Sequence, residues 1–208
     1  MLFRSLSYYH DLETMDGRAD AYEGTRRYRP YGGLEITKIS SGERFNLPDT
    51  FSLESTARTS DIFVFCTSSE LSLALAQEFQ SDACIEIFDE AKFIARIRAA
   101  LALRVRVRPP KTLLHDRVKY YDSSESPIVD WALPDRITMS KPNRFRHQSE
   151  YRFAFAINDA FRVQQTSQVL TTRARGPIVH AESYPQDLVI LGDLHRFVHV
   201  HRFSIAAA

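Results

Sequence analysis

The sequence predicts a single α+β domain in which strands outnumber helices, and three observations lead to this prediction. Short segments with the alternation of a β-strand recur along the chain, whereas residues 90–101 have the apolar spacing of a helix. The chain has 208 residues, and its hydrophobic content of 44% can bury a core without disulfides. No repeat or long linker divides it. We therefore expect one domain over residues 1–208, with two small mixed or antiparallel sheets and flanking helices.

In the first half of the chain, the pattern predicts strands over residues 2–9, 34–39, 62–66 and 83–88. The segment 62–66, I-F-V-F-C, is apolar throughout, which favours a central strand. Residues 10–33 are rich in glycine and are expected to form a loop. Ser69 is the expected N-cap of a short helix that begins in the segment E-L-S-L-A-L-A-Q-E-F-Q.

In the second half, the helix over 90–101 is expected to begin after Asp89 as its N-cap, because its apolar residues share one face and its charges the other. Further strands are predicted over residues 117–121, 145–157, 188–191 and 197–203. Residues 164–176 are polar and are expected to form a loop or an exposed strand.

The strand over 145–157 carries an unusual polar side. Tyr151, Phe153 and Phe155 alternate with Glu150 and Arg152, so the aromatic side is expected to face a core. Gln148 extends the polar side. Residues two apart on a strand lie roughly 6–7 Å apart on one face, so Gln148 and Glu150 could act on one ligand. The alternative is a solvated strand face that carries a Glu150–Arg152 pair.

Two further features carry chemistry. Arg4 lies inside the first predicted strand, and its burial would need an anionic partner, either a bound phosphate or an acid such as Glu23. Thr67, Ser68 and Ser69 follow the apolar strand at 62–66. Their hydroxyl groups can close a turn, or they can position a neighbouring carboxylate or a sugar hydroxyl.

Taken in order, L-F-R, F-V-F-C-T-S-S and Q-S-E resemble the three motifs of the Arg–Ser–Glu class of mono-ADP-ribosyltransferases. The resemblance implies two perpendicular small sheets that grip nicotinamide adenine dinucleotide (NAD) as a substrate. It implies that Arg4 holds a phosphate and that Thr67 and Ser68 support the nicotinamide-side ribose. Glu150 would then stabilise the oxocarbenium-like centre as nicotinamide leaves.

The same resemblance assigns roles to three other residues. Gln148 would present the acceptor atom, and the Gln-x-Glu variant goes with acceptors other than arginine, including nucleic-acid bases. Tyr8 or Tyr9 would stack on the nicotinamide, although aromatic residues at such positions also serve as core. The activity it implies is that of a toxin or a phage-defence effector.

A second resemblance covers residues 1–157. D-A-Y-E-G, I-F-V-F-C-T-S-S, V-K-Y-Y and K-P-N-R-F-R-H-Q-S-E-Y-R-F are similar, in order and spacing, to a large bacterial family of unassigned function. Its members often belong to prophages and defence islands. Asp20 and Glu23, in the first of these segments, are expected to brace a loop or to pair with arginines.

Basic residues interleaved with aromatic residues flank the candidate site, a composition that suits phosphate backbones and stacked bases. The candidate nucleic-acid-binding residues are Arg27, Arg29, Arg144 and Arg146. A DNA or RNA acceptor is the hypothesis, while a protein acceptor and an antitoxin partner stay open. Solvated basic edges are the alternative. The net charge of +1 predicts no partner by itself.

Several patterns bear on location and metal binding. Cys66 and Cys84 lie in apolar runs, which favours buried free thiols and a reducing cytoplasm. No stretch approaches the length of a membrane span, so we expect no membrane partner. His199 and His201 share a strand side, but no spacing completes a metal site. The alternative function is a non-enzymatic nucleic-acid- or protein-binding module of phage or defence origin.

Overall fold

The computed structural model of the chain describes residues 1–10, 20–104, 107, 113–172 and 185–203. Its fold is α+β with strands in the majority, as the sequence predicts. Strands and helices are numbered in chain order. The main sheet has five antiparallel strands, in the spatial order β13 (Gln186–Leu188), β1 (Leu2–Ser5), β6 (Ile62–Ser68), β11 (Glu150–Ala156) and β8 (Leu114–Arg117).

Smaller sheets surround the main one. An antiparallel three-stranded sheet contains β12 (Ser167–Thr171), β5 (Ser52–Thr56) and β2 (Thr25–Tyr28). Two antiparallel ribbons are formed by β3 (Leu34–Thr37) with β4 (Arg44–Leu47), and by β7 (Ala83–Ile87) with β14 (Val198–Arg202). A parallel ribbon joins β9 (Lys119–Tyr121) to β10 (Ser140–Pro142). The described residues thus form more sheets than the expected two.

The helices of the described residues are α1 (Leu6–His10), α2 (Leu73–Glu78), α3 (Glu90–Ala102) and α4 (Pro134–Thr138). The predicted helix α3 is confirmed, including its N-cap, because the Asp89 carboxylate accepts a hydrogen bond from the backbone N–H of Lys92 at 3.1 Å. Helix α2 begins three residues later than expected from Ser69. Its N-cap is Ser72, whose hydroxyl accepts from the N–H of Leu75.

Removing the N-cap of α3 gives a first test of the fold. We expect Asp89→Ala to lower the melting temperature by about 2–4 °C, because one helix N–H loses its acceptor. Thermal unfolding followed by circular dichroism measures the shift. Asp82→Ala, at an exposed loop position, is the matched control and should melt with the wild type. Equal melting of both variants would show that the cap contributes nothing.

Aromatic residues fill one face of the main sheet. Phe63 and Phe155 stack with ring centroids 5.2 Å apart, and Phe3 meets Phe155 edge-on at 5.0 Å. The apolar side of α3 packs on this face with Phe93, Ile94, Ile97 and Leu101. The prediction that the aromatic side of β11 faces a core is therefore confirmed.

The other face of the sheet is also covered, so the alternative of a solvated strand face is wrong. Val64, Ala154 and Ala156 pack there with Leu6 of α1 and Ile137 of α4. Strand β11 is consequently buried on both sides, and its small alanines leave room for a second layer. The polar side chains Glu150 and Arg152 lie on this second face and are buried rather than solvated.

Four predicted strands have wrong boundaries. The strand predicted over 188–191 lies at Gln186–Leu188. The other three differ for local reasons. The first strand ends at Ser5, because the fully buried Leu6 begins helix α1 and enters the second core. Residues 117–121 divide at Val118, where the chain leaves β11 to pair with β10. The strand expected over 145–157 begins only at Glu150, after a 3₁₀ turn over Asn143–Gln148.

Other expectations differ in detail. The segment 10–33, which was expected to form a loop, contains the strand β2, and its residues 11–19 lie outside the described part. Residues 164–176 include the exposed strand β12, whereas 173–176 lie outside the described residues. Cys66 and Cys84 are free but only half-buried. Among the described residues, no helix combines the length and apolar character needed to cross a membrane.

Candidate functional site

A network of four buried charged residues lies on the second face of the main sheet. Arg152 donates from Nε to Oε1 of Glu150 at 2.7 Å. Its two terminal nitrogens donate to Oε1 and Oε2 of Glu23 at 2.7 and 3.2 Å, which is the bidentate geometry that arginine favours. Lys141 lies 2.8 Å from Oε2 of Glu150 and 3.8 Å from Oε2 of Glu23, which closes the ring. We call these four residues the charged quartet.

The quartet is assembled from elements that are far apart in the chain. Glu150 and Arg152 come from β11, and Lys141 comes from β10. Glu23 comes from the turn before β2, and the carbonyl of Thr138 at the end of α4 accepts a further hydrogen bond from Arg152. Each residue of the quartet is at most 5% exposed.

Burial and charge set the protonation of the quartet. Burial alone would raise the pKa of Glu150, but Arg152 and Lys141 together lower it to about 2. Glu150 is therefore ionised at neutral pH. Burial raises the pKa of Glu23, against the opposing effect of Arg152 and Lys141. Although Cys66 as a residue is half-buried, its thiol lies beside Arg152 on the covered face of the sheet, and burial there raises the pKa of the thiol and favours its neutral form.

The turn that supplies Glu23 depends on a glycine. Gly24 has φ of +72°, and a Cβ at this position would lie 2.5 Å from Cγ2 of Thr59 and 3.2 Å from Cδ1 of Leu6. The neighbouring Asp20 is buried and binds Arg144 at 3.0 Å. The expectation that Asp20 and Glu23 pair with arginines is thereby confirmed.

Substituting this glycine tests the turn. We expect Gly24→Ala to lower the free energy of unfolding by about 2–3 kcal/mol, from backbone strain and crowding together. Gly42→Ala is the matched control, because Gly42 has φ of +69° but no atom within 4 Å of the added Cβ. Its loss should be about 1 kcal/mol. Urea unfolding of the two variants measures the difference, and equal losses would exclude crowding at Gly24.

The structure brings Ser68 and Glu150 together. The two residues are directly opposite across β6 and β11, so they share the second face of the sheet, at the end where Ser68 is exposed. The Ser68 hydroxyl accepts from the N–H of Glu70 at 3.1 Å, as a turn-closing serine does. Thr67 points to the aromatic side, and its hydroxyl donates to the carbonyl of Tyr151 at 3.0 Å.

Arg4 occupies the same sheet face but lies farther along it. It is opposite Val64 across β1 and β6, four residues from Ser68, or about 13 Å along the strand. Its guanidinium sits 4.1 Å from the centroid of the Tyr8 ring, a cation–π contact. Glu23, one of the acids suggested as its partner, pairs with Arg152 and Lys141 instead.

The two candidate tyrosines differ in surroundings. Tyr8 and Tyr9 meet edge-on with ring centroids 5.1 Å apart. Tyr9 packs against the second core and close to the quartet, and burial raises the pKa of its hydroxyl, so it stays protonated. Tyr120, which sequence analysis missed, accepts the backbone N–H of Glu150 through its hydroxyl at 2.9 Å.

Gln148 is buried but does not belong to the strand of Glu150. Ser149 has φ of 43°, in the left-handed region, and this turn separates the two residues. Gln148 nevertheless joins the site, because its Oε1 accepts from Lys141 at 3.3 Å and its Nε2 donates to Glu78 at 3.3 Å. Glu78 was also missed, since nothing in the sequence connects helix α2 with residue 148.

The candidate nucleic-acid-binding arginines differ in their exposure to solvent and in the polar contacts that they already make. Arg27 is half-buried and binds Ser52, Glu54 and the hydroxyl of Tyr22. Arg29, Arg144 and Arg146 are exposed. The polar contacts of these exposed arginines are, respectively, the carbonyl of Asp49, the carboxylate of Asp20 and the side chain of Asn143.

Two other places on the molecule have features of a binding site. His201 bonds to Glu86 at 2.7 Å and His199 stacks on Phe88, and the described residues contain no cluster of three or more groups suited to a metal. A cleft of about 580 Å³ lies elsewhere, between β13 and the start of β6, and Asp61, Arg104 and Gln186 are among its lining residues. Gln186 is opposite Arg4, but the quartet does not reach the cleft lining.

No family model, curated protein or solved structure matches this chain.

Proposed function

We propose that the chain is an NAD-dependent mono-ADP-ribosyltransferase with an ADP-ribosyltransferase-like fold, and that Glu150 is its catalytic carboxylate. The observation that carries the proposal is the register of β6 and β11, which sets Ser68 directly beside Glu150. Arg4 lies on the same sheet face, about 13 Å along the strand, so a bound dinucleotide would have to extend over that distance.

The electrostatics of Glu150 support this role. Loss of nicotinamide leaves positive charge on the ribose, and a carboxylate fixed in place stabilises that charge best. Arg152 and Lys141 keep Glu150 ionised, and the backbone of Glu150 is anchored by Tyr120. The acceptor is a nucleic-acid base or a protein side chain. The exposed basic residues Arg29, Arg144 and Arg146 favour a nucleic acid.

A specific observation favours the second candidate, a non-enzymatic binding module of phage or defence origin. Both carboxylate oxygens of Glu150 already bind internal cations, and the residue is only 4% exposed. In the enzyme, part of the layer that covers this face must therefore move before a ribose can reach a lone pair of Glu150 that the two cations leave open. In the binding module, Glu150 and Arg152 form a structural pair, and the basic surface binds the nucleic acid or protein.

Transfer of label from NAD decides between the two candidates. The protein is incubated with NAD labelled in its ADP-ribose part, together with DNA, RNA or cell lysate. We expect label on one acceptor class with the wild type, and a loss of at least about 100-fold with Glu150→Gln. Glu125→Gln, at an exposed position, is the control and should retain the wild-type rate. Equal labelling by both variants, or no NAD binding by calorimetry, would refute the enzyme.

The nucleic-acid acceptor is tested separately by oligonucleotide binding. We expect the affinity of the wild type to fall as salt rises from 50 to 200 mM, about tenfold or more if two or more phosphates are contacted. Arg146→Gln should reduce the dependence of log K on log[salt] by about 1, because one phosphate contact is lost. Arg162→Gln, at an exposed arginine paired with Asp159, is the control. A flat salt dependence would leave a protein acceptor.

A further inference from the structure

A line of four hydrogen-bonded side chains runs from helix α2 to the buried carboxylate of the site. Glu78, at the end of α2, accepts from Nε2 of Gln148 at 3.3 Å. Oε1 of Gln148 accepts from Lys141 at 3.3 Å. Lys141 then binds Oε2 of Glu150 at 2.8 Å. The line begins at a side chain that is 30% exposed and ends at one that is 4% exposed.

The chemistry of Lys141 and Glu78 determines which group donates and which accepts in each hydrogen bond of this line. A lysine ammonium can only donate hydrogen bonds, and an ionised glutamate can only accept them. The amide of Gln148 lies between Lys141 and Glu78, so its oxygen must face the lysine and its nitrogen must face the carboxylate. No other residue type of similar length meets both requirements without adding charge.

Lys141 needs such a constraint, because a lysine side chain is flexible and its ammonium group rotates freely. Three further features face its ammonium group: Oε2 of Glu23 at 3.8 Å, the ring of Phe145 at 4.8 Å, and the positive charge of Arg152 across the quartet. The pull of Glu23 would draw Lys141 away from Glu150. Gln148 accepts a further hydrogen bond from the same ammonium group and thereby limits its movement.

We propose that Lys141 is a positioning residue that holds the carboxylate of Glu150 in place, and that Glu78 holds Lys141 through Gln148. The consequence for catalysis rests on the proposed transferase function. The restraint on the Lys141 ammonium group can be measured in the absence of any enzymatic activity.

The first experiment observes the ammonium group directly. In protein labelled with ¹⁵N-lysine, the Nζ resonance of Lys141 should be visible because its protons exchange slowly, and Lys141→Arg assigns it by its disappearance. We expect Glu78→Ala to accelerate this exchange about tenfold, since the amide of Gln148 loses its outer anchor. Glu78 is partly exposed, so this variant is expected to fold.

His147→Ala is the matched control. His147 also binds Glu78, at 3.0 Å, but it contacts Glu78 from the exposed side and does not belong to the line. The exchange rate of Lys141 in this variant should equal that of the wild type. Unchanged exchange in Glu78→Ala, or an equal acceleration in both variants, would overturn the proposal.

The second experiment measures ADP-ribose transfer. We expect Glu78→Ala to lower kcat about tenfold while KM for NAD stays within about twofold, because positioning matters most in the transition state. Lys141→Arg should keep part of the activity that Lys141→Met loses. If the wild type transfers no ADP-ribose but the ammonium exchange behaves as expected, the transferase proposal fails and the positioning stands. Transfer that is insensitive to Glu78→Ala refutes the positioning.

Discussion

Replacing Arg152 with methionine is expected to lower the free energy of unfolding by about 3–5 kcal/mol. Arg152 is fully buried, and its guanidinium binds the carboxylates of both Glu23 and Glu150. Without it, two carboxylates share a buried site in which Lys141 is the one close cation that the described residues supply. One of them must take up a proton or draw in water, and either event stabilises the unfolded state relative to the folded one. Urea unfolding at pH 7 measures the loss.

The matched control for this variant is an arginine in an exposed ion pair. Arg58 binds Asp61 at 2.9 Å, but its side chain is 46% exposed. We expect Arg58→Met to cost at most about 1 kcal/mol, because water and salt screen such a pair. A loss below about 1 kcal/mol for Arg152→Met would mean that the quartet is open to solvent and contradict the buried network.

Replacing the whole quartet should have a much smaller effect than removing one member. With Glu23→Leu, Lys141→Met, Glu150→Leu and Arg152→Met combined, none of the four charges of the quartet remains. We expect the free energy of unfolding of this variant to lie within about 2 kcal/mol of the wild-type value. Buried ion networks seldom stabilise a fold more than well-packed apolar residues do. Denaturant unfolding checks this, and a loss equal to that of Arg152→Met would contradict it. If folding does not require these four charges, their presence supports a functional role for the quartet.

Local features of the fold were predictable because their signals lie close together in the sequence. Helix α3 follows from apolar spacing and from Asp89 one residue before it. The central position of β6 follows from a continuous apolar run. The alternation of β11 correctly separates its aromatic side from its polar side. It does not reveal that a second layer, carrying Lys141 and Glu23, covers the polar side.

The site was predictable only in part, for the same physical reason. Glu150 and Ser68 are predicted site residues because of their motifs, and the structure shows that they are neighbours across the sheet. The partner of Arg152, however, is 129 residues away in the chain, and only the fold determines that Glu23 arrives there. The left-handed turn at Ser149 also carries no sequence signal, because serine rarely adopts it. This turn removes Gln148 from the strand on which the spacing had placed it.

Acid is expected to destabilise the protein through Glu150. The pKa of a glutamate in the unfolded chain is near 4.5, and in the folded protein Arg152 and Lys141, acting against burial, lower that of Glu150 to about 2. A depressed pKa contributes stability that is complete above the unfolded value and is lost as the pH falls toward the folded one. Between pH 6 and 2 this loss amounts to about 3 kcal/mol.

Glu23 works in the opposite direction, so a variant is needed to isolate Glu150. Burial raises the pKa of Glu23 despite Arg152 and Lys141, so its contribution is complete below the unfolded pKa and is lost as the pH rises. We expect Glu150→Gln to be less stable than the wild type at pH 6, yet to lose far less stability between pH 6 and pH 3. Urea unfolding at a series of pH values measures both curves.

The exposed variant Glu125→Gln should follow the wild-type curve throughout, because Glu125 takes no part in the quartet. Parallel curves for Glu150→Gln and the wild type would show that the carboxylate of Glu150 has an ordinary pKa. The two cations would then not be bound to it in solution. In that case the geometry that makes Glu150 an ionised, fixed carboxylate would be lost, and with it the electrostatic basis for stabilising a cationic ribose.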